Sequence, residues 1–301
     1  TIQIAGTFII SEEGIADLDG DGGNKEVVAL LLPYRIASYN VDGSLRWLVS
    51  LLSWLYPPGA FTSSNNFVLG DVDNDGGIDT VNMEMVDTTQ PYTFYGADSY
   101  INIFDQNGKL EYHWQTSTVG FTDSYNDLKL SDIDNDNDLE LLVVSNKGNK
   151  TVPSSPIGRY IRVWHHTGDL ESEFNIDSYI EKIIISDIDN DGNLDIISKP
   201  IKVPNTQDYI IYAWKPSGEN LVGWPKIFSR EQLHALNPQS ANQLLAVSDV
   251  DKDGDFELLV PIAGGELHIF SLPGSGGNIY PSWPTFKHNK RNTNNYNTKN
   301  P

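Results

Sequence analysis

The string "DIDNDGNLD", residues 187–195, places four aspartates in nine positions, and near copies of it recur along the chain. "DVDNDGGID" begins at Asp71, "DIDNDNDLE" at Asp132 and "DVDKDGDFE" at Asp249. A looser copy, "DLDGDGGNKE", begins at Asp17 and carries one extra residue before Glu26. The starts lie 54, 61, 55 and 62 residues apart, with a mean of 58, so the 301 residues hold five units. A repeat of this length constrains the fold strongly. Each unit must be one supersecondary element that buries its apolar surface against its neighbours.

The flanks repeat as well. Each motif is followed by a β-rich run: "EVVALLL", "DTVNMEMV", "ELLVVS", "DIISK" or "ELLVPI". A second run ends at Tyr39, Phe104, Trp164, Trp214 or Phe270, and four residues later comes Gly43, Gly108, Gly168, Gly218 or Gly274. Asp42-Gly43 and Asn107-Gly108 are hairpin signals. A third run carries Trp47, Trp114, Phe174, Trp224 or Trp283, and the run before the next motif supplies a fourth. Each unit therefore reads as four antiparallel strands, a to d, with the acidic motif in the a–b hairpin. The aromatics at fixed repeat positions are expected to pack between units. No stretch sustains an apolar period of 3.6 over four turns, which argues against a helical repeat.

Such units arranged radially make a β-propeller. The expected fold is all-β, a five-bladed propeller of four-stranded antiparallel blades over residues 1–286, followed by an Asn-rich basic tail at 287–301. The residues before Asp17 and after Glu257 together match about one unit in length, which suits ring closure. A fragment of a larger propeller is the alternative.

The loop chemistry follows from spacing. In the copy at Asp187, positions 1, 3 and 5 are Asp187, Asp189 and Asp191, whose carboxylates turn inward on a tightly curled backbone. Gly192 permits a left-handed turn, Asn193 offers a backbone carbonyl, and Asp195 closes the shell as strand b begins. Leu194 points the other way, into the core. The corresponding ligands are Asp17, Asp19, Asp21 and Glu26 in the first copy. They are Asp71, Asp73, Asp75, Gly77 and Asp79 in the second, and Asp132, Asp134, Asp136, Asp138 and Glu140 in the third. In the fifth they are Asp249, Asp251, Asp253, Asp255 and Glu257. An all-oxygen set of this size suits a hard cation, and Ca²⁺ accepts six to eight such ligands flexibly. About five structural Ca²⁺ ions are expected. An EF-hand would need a bidentate Glu at position 12, where this chain has Val28, Asn82, Val143, Ser198 and Val260. The first loop is the least regular, since its insertion shifts Glu26 and Lys25 replaces the apolar anchor. Solvated acidic turns are the alternative reading, but one that does not account for five copies in register.

Charge bears on the same point. Acids outnumber bases 41 to 20, a formal charge of −21, and 22 of those acids lie in the five loops. Five Ca²⁺ ions would bring the chain to about −11 by simple addition of charge. Nucleic acid and anionic membranes are excluded as partners, because both require a basic surface. There is no cysteine. The longest apolar run, "LVSLLSWLY" at 48–56, is too short for a transmembrane helix.

The motif D-x-D-x-D-G-x-x-[DE] after strand a, together with the hairpin glycine, resembles the FG-GAP/VCBS repeat family. These are the calcium-loop propellers of integrin α-chains and of many secreted microbial proteins. "VLGDVDNDG" at 68–76, "GWPKIF" at 223–228 and "SWPTFKHNKRNT" at 282–293 add to the resemblance, which spans about residues 10 to 286. It implies an extracellular setting and structural calcium, and it implies no particular activity.

Function is expected on the rim opposite the loops, in the long b–c and d–a connections. By this reasoning Trp54, Tyr56, Tyr92, Phe94, Tyr95, Phe121 and Tyr125 are candidate ligand-binding residues, suited to stacking on sugars or to a protein face. Packing of these rings against the blades is the alternative. The expected function is a secreted or cell-surface, calcium-stabilised binding or adhesion module for glycan or protein. A structural subunit of an extracellular assembly is one alternative, and a polysaccharide lyase or glycosidase another. Few carboxylates are left for catalysis: Glu84, Asp87, Asp98 and Asp127. His165 and His166, beside a hairpin turn, are expected to be an exposed pair.

Overall fold

The computed structural model describes residues 9–18, 20, 25–32, 35–51, 62–63, 67–87, 97–116, 121–149, 152–176, 180, 182–199, 201–202, 208–228, 245–262 and 266–272. Every regular element among them is a β-strand. No helix among the described residues is long and apolar enough to cross a membrane.

Among the described residues, twenty-two strands form six antiparallel sheets. The first is a four-stranded meander of β1 (Ile9–Ala16), β2 (Glu26–Leu32), β3 (Arg35–Tyr39) and β4 (Leu45–Ser50). The second holds β5 (Thr62–Ser63), β6 (Phe67–Gly70), β7 (Asp79–Asp87), β8 (Ala97–Phe104) and β9 (Leu110–Gln115), with β5 and β6 both paired to β7. The third is another four-stranded meander: β10 (Phe121–Ser131), β11 (Glu140–Asn149), β12 (Val152–Trp164) and β13 (Leu170–Asn175). Next come β14 (Ile183–Ser186), β15 (Asp195–Ser198), β16 (Ile201–Lys202), β17 (Tyr209–Ile211), β18 (Ala213–Trp214) and β19 (Lys226–Phe228). They divide into a sheet of β14, β15 and β18 and a sheet of β16, β17 and β19. The last sheet is β20 (Ala246–Ser248), β21 (Phe256–Ile262) and β22 (Glu266–Leu272).

Burial grades across each meander. Strands β6, β14 and β15 are buried at every position, whereas the fourth strands β4, β9 and β13 alternate with solvent. Continuous apolar runs such as "IIIS" in β14 are what a strand covered on both faces requires. The cores lie between successive sheets. One cluster joins Ala16, Leu30 and Trp47 of the first sheet to Phe67 and Phe104 of the second. A larger one runs from Val81 and Ile101 through Leu141 and Ile161 to Ile196 and Trp214.

A repeated contact crosses these boundaries. The hairpin glycines Gly43, Gly108, Gly168 and Gly218 all adopt the left-handed φ that glycine tolerates. Three of them are also seats for a ring from the preceding unit. A Cβ on Gly108 would lie 2.8 Å from Trp47, on Gly168 3.1 Å from Trp114, and on Gly218 2.5 Å from Phe174. The Trp47 indole donates to the Gln106 carbonyl at 3.0 Å, and Ser172 Oγ donates to the Pro216 carbonyl at 2.9 Å. Trp114 and Phe174 then continue onto Trp164 and Trp214, at ring separations of 6.0 and 5.9 Å. Trp47, Trp114, Trp164, Phe174 and Trp214 are inter-unit packing residues, as expected, while Trp283 lies outside the described residues.

One expectation about the rim is corrected. Phe121 and Tyr125 are expected in a connection between strands, but β10 begins at Phe121, β11 ends at Asn149 and β12 begins at Val152. Phe121 pairs with Asn149 and Tyr125 with Ser145, so both lie in a strand. The polar run is held extended by its ladder partners, an effect that local turn preference does not foresee.

Candidate metal centres

Each acidic motif lies between the first and second strands of its unit, and its backbone is curled by its own side chains. The position-3 carboxylate accepts the amide of position 5: Asp73 from Asp75, Asp134 from Asp136, Asp189 from Asp191 and Asp251 from Asp253, at 3.2–3.3 Å. The position-5 carboxylate accepts the amide of position 7, from Gly77, Asp138, Asn193 and Asp255, at 2.7–2.9 Å. Asp71 and Asp187 accept the amides of Gly76 and Gly192 at 3.0 and 3.1 Å. These overlapping Asx turns explain why acids recur at every second residue.

Position 6 is left-handed as expected, at Gly76, Asn137, Gly192 and Gly254. Position 4 is left-handed as well, at Gly20, Asn74, Asn135, Asn190 and Lys252, which sequence reasoning missed. The signal was present, since three of those five residues are Asn, the non-glycine residue that enters this region most readily.

The closing acid makes the most regular contact. Its carboxylate accepts the amide of position 2 in all five loops: Glu26 from Leu18, Asp79 from Val72, Glu140 from Ile133, Asp195 from Ile188 and Glu257 from Val250, at 2.8–3.0 Å. The insertion in the first loop therefore leaves Glu26 in the same role as its counterparts. Asp19 and Asp21 lie outside the described residues. Ile78, Leu139, Leu194 and Phe256, at position 8, are buried as anchors, while Lys25 is exposed.

The carboxylates converge. Ligand oxygens of Asp71, Asp73 and Asp79 lie within 4.8 Å of one another, as do those of Asp132, Asp134 and Asp136. So do those of Asp187, Asp189 and Asp195, and of Asp249, Asp251 and Glu257. Burial opposes so much negative charge: it raises Asp79 and Glu140 to about 8 and Asp195 to about 7, with neighbouring aspartates adding to the rise. Asp71, Asp132 and Asp187 are raised for the same first cause. Oδ1 of Asp132, Oδ1 of Asp187 and Oε1 of Glu140 are buried with no hydrogen-bond partner. Buried carboxylate oxygens of that kind call for a cation. The donor set is all oxygen, so the residues present fit a hard divalent ion.

In the second, third and fourth units the third hairpin leans on the same loop. Gln106 reaches Gly77, where an added Cβ would meet it at 2.7 Å, and Lys215 Nζ donates to Asp191 Oδ2 at 3.1 Å. In the third unit, His165 and His166 face Asp138. His166 is buried, not exposed as expected, because Tyr112 of the preceding unit packs edge-on against it at 5.3 Å. Burial, and then the neighbouring His165, push its pKa down.

Three of the four spare carboxylates are bound up in the framework. Asn102 Nδ2 donates to the fully buried Glu84 at 3.3 Å, and Asn102 Oδ1 lies 2.7 Å from His113 Nδ1. Gln115 donates to Asp98 at 2.9 Å. Asp127 is buried against Lys129 at 2.8 Å, with Lys182 at 3.3 Å and the Ile183 amide at 2.9 Å. The side chain of Asp87 lies outside the described residues, as do those of Phe121 and Tyr125 and the whole of Trp54, Tyr56, Tyr92, Phe94 and Tyr95.

No protein-family model matches the chain, and no curated protein matches it. Among solved structures, 74 chains match. The rhamnogalacturonan lyase YesW is 15% identical with a TM-score of 0.48, covering 83% of this chain and 51% of its own. The V. cholerae biofilm matrix protein Bap1 is 14% identical with a TM-score of 0.37, covering 87% of this chain and 53% of its own. The Dos1 propeller is 9% identical with a TM-score of 0.40, covering 83% of this chain and 55% of its own. The chain thus spans about half the length of these structures. Similarity at this level assigns no activity.

Proposed function

We propose that the chain is a five-bladed β-propeller in which each a–b loop holds a structural Ca²⁺ ion, and that it acts as a secreted or cell-surface binding or adhesion module for a glycan or a protein. The count of five treats the two small central sheets as one blade. Strand β15 ends at Ser198 and β16 resumes at Ile201, while β17 and β18 flank Tyr212. The Ser198 amide donates to the Tyr212 carbonyl, and the Tyr212 amide donates to Ser198 Oγ, both at 2.9 Å, so the interruption is bridged.

The observation that carries the reading is the closing-acid contact, identical in five loops, beside converging carboxylates that burial disfavours without a counter-ion. Calcium suits them better than magnesium because the oxygens are numerous and mostly anionic. The ions would pin strands a and b together at one end of each blade and leave the other rim to a ligand. Engagement of Glu84, Asp98 and Asp127 within the framework favours binding over catalysis. Calorimetric titration of the chelator-stripped chain should count about five Ca²⁺ ions per chain, one for each loop. A glycan array run in calcium should show binding that EDTA abolishes. A chain that takes up no calcium overturns the metal assignment, and ultraviolet-absorbing unsaturated products from pectic polysaccharides would replace the binding module with a lyase.

A further inference from the structure

The cluster of Asp138, His165 and His166 is chemically unlike the five loops. Ligand atoms of the three residues lie within 4.8 Å of one another. His165 Nε2 stands 3.7 Å from Asp138 Oδ2, and His166 Nδ1 stands 3.9 Å from the same oxygen. Both separations are too long for hydrogen bonds. They are close to the separation of about 3.3 Å between ligands that share a tetrahedral Zn²⁺ ion at 2.0–2.1 Å from each. The second observation is His166 itself. Its side chain is 8% exposed, and its buried Nδ1, the atom facing Asp138, has no hydrogen-bond partner. A buried imidazole nitrogen left unpaired is costly unless something else takes its lone pair.

The remaining contacts prepare the site. Thr167 Oγ1 donates to Asp169 Oδ2 at 2.9 Å and lies 2.8 Å from His165 Nδ1. The Thr167 amide donates to the same nitrogen at 3.3 Å. These contacts hold the His165 ring by its Nδ1 edge and leave Nε2 facing Asp138. A carboxylate acting through a neighbour to fix a ligating histidine is a common outer-shell arrangement. Position 7 serves the acidic loop through its main chain, and the converging oxygens of that loop come from Asp132, Asp134 and Asp136, so the Asp138 carboxylate is uncommitted. The repeat does not require the site: the two residues after the strand aromatic are Asn40 and Val41, Asp105 and Gln106, Lys215 and Pro216, or Ser271 and Leu272 in the other units.

We infer that Asp138, His165 and His166 form a binding site for a borderline divalent cation such as Zn²⁺, distinct from the hard-cation loops and open on one side to solvent through the partly exposed Asp138 and His165. Two imidazoles and one carboxylate suit zinc, cobalt or nickel and reject calcium. The inference does not depend on the calcium reading, because none of the three side chains belongs to a loop's converging set.

The test uses the full chain saturated with calcium and titrated with Co²⁺. One equivalent should bind with the visible ligand-field absorption of nitrogen-coordinated cobalt, and Zn²⁺ should displace it. His165→Ala should abolish the cobalt spectrum while leaving the calcium count unchanged, and Asp138→Asn should abolish the cobalt spectrum as well. Thr167→Val removes only an orienting group and should weaken Zn²⁺ binding by roughly 10- to 100-fold. Where His166→Ala fails to fold, the partly exposed turn residue His165 decides the matter. A wild-type chain that binds no stoichiometric Co²⁺, or a His165→Ala variant that binds it unchanged, overturns the site.

Discussion

Two kinds of glycine separate when an added methyl is considered at each. Gly192 and Gly76 are left-handed with nothing near their missing Cβ, so alanine there meets only backbone strain. Gly168 and Gly218 are left-handed and also covered by Trp114 and Phe174. Gly192→Ala should therefore cost about 1–2 kcal/mol, while Gly168→Ala and Gly218→Ala add overpacking of about 1–3 kcal/mol to that strain. Urea midpoints measured in calcium would separate the two classes. The closing acid offers a test in which the sign changes. Asp195→Asn keeps an oxygen to accept the Ile188 amide but removes a charge that burial disfavours. In EDTA the variant should melt at or above the parent temperature, and in calcium it should gain less from the ion than the parent does. Thermal melts under both conditions measure this.

Strands and loops differ in how much of their form lies in local sequence. The acidic loops are legible because ligands, Asx turns and the closing contact all fall within about ten consecutive residues, the range over which turn chemistry acts. The glycine seats are only half legible. The turn glycine can be read from its dipeptide, but the Trp47 contact with the second hairpin spans 59 residues. The burial of His166 is hidden in the same way, since Tyr112 comes from another unit. The extension of β10 to β12 was missed because residues such as Thr122, Asp123 and Asn146 carry turn preferences that a ladder overrides. At the interruption in the fourth unit, a side chain replaces the ladder. Ser198 is fully buried and its hydroxyl accepts the Tyr212 amide. Ser198→Ala leaves that amide unsatisfied and should cost about 1–3 kcal/mol, seen as a lower urea midpoint with an unchanged m-value.

For the molecule as a whole, the charge of −21 makes stability depend on protons and cations together. Without metal, Asp79, Glu140 and Asp195 hold their protons to about 8, 8 and 7, well above an ordinary carboxyl. Folding then binds protons, so the stability from these groups is full below about pH 4 and is lost as pH rises through 7–8. The melting temperature in EDTA should fall between about pH 5 and 8. Calcium requires the ionised form, so in saturating calcium the same interval should show a flat or rising melting temperature; a decline of equal slope in both conditions would remove the ion from the loops. The aromatic contacts set a different asymmetry. Trp47, Trp114 and Phe174 all lean forward onto the glycine turn of the unit that follows, like overlapping roof slates. At these contacts, removing a later unit strips the cover from an indole or phenyl ring, whereas removing an earlier one uncovers a glycine turn. A chain interrupted during synthesis would therefore leave an indole or phenyl ring without its glycine cover, a defect that a chain clipped from its N-terminal side does not share.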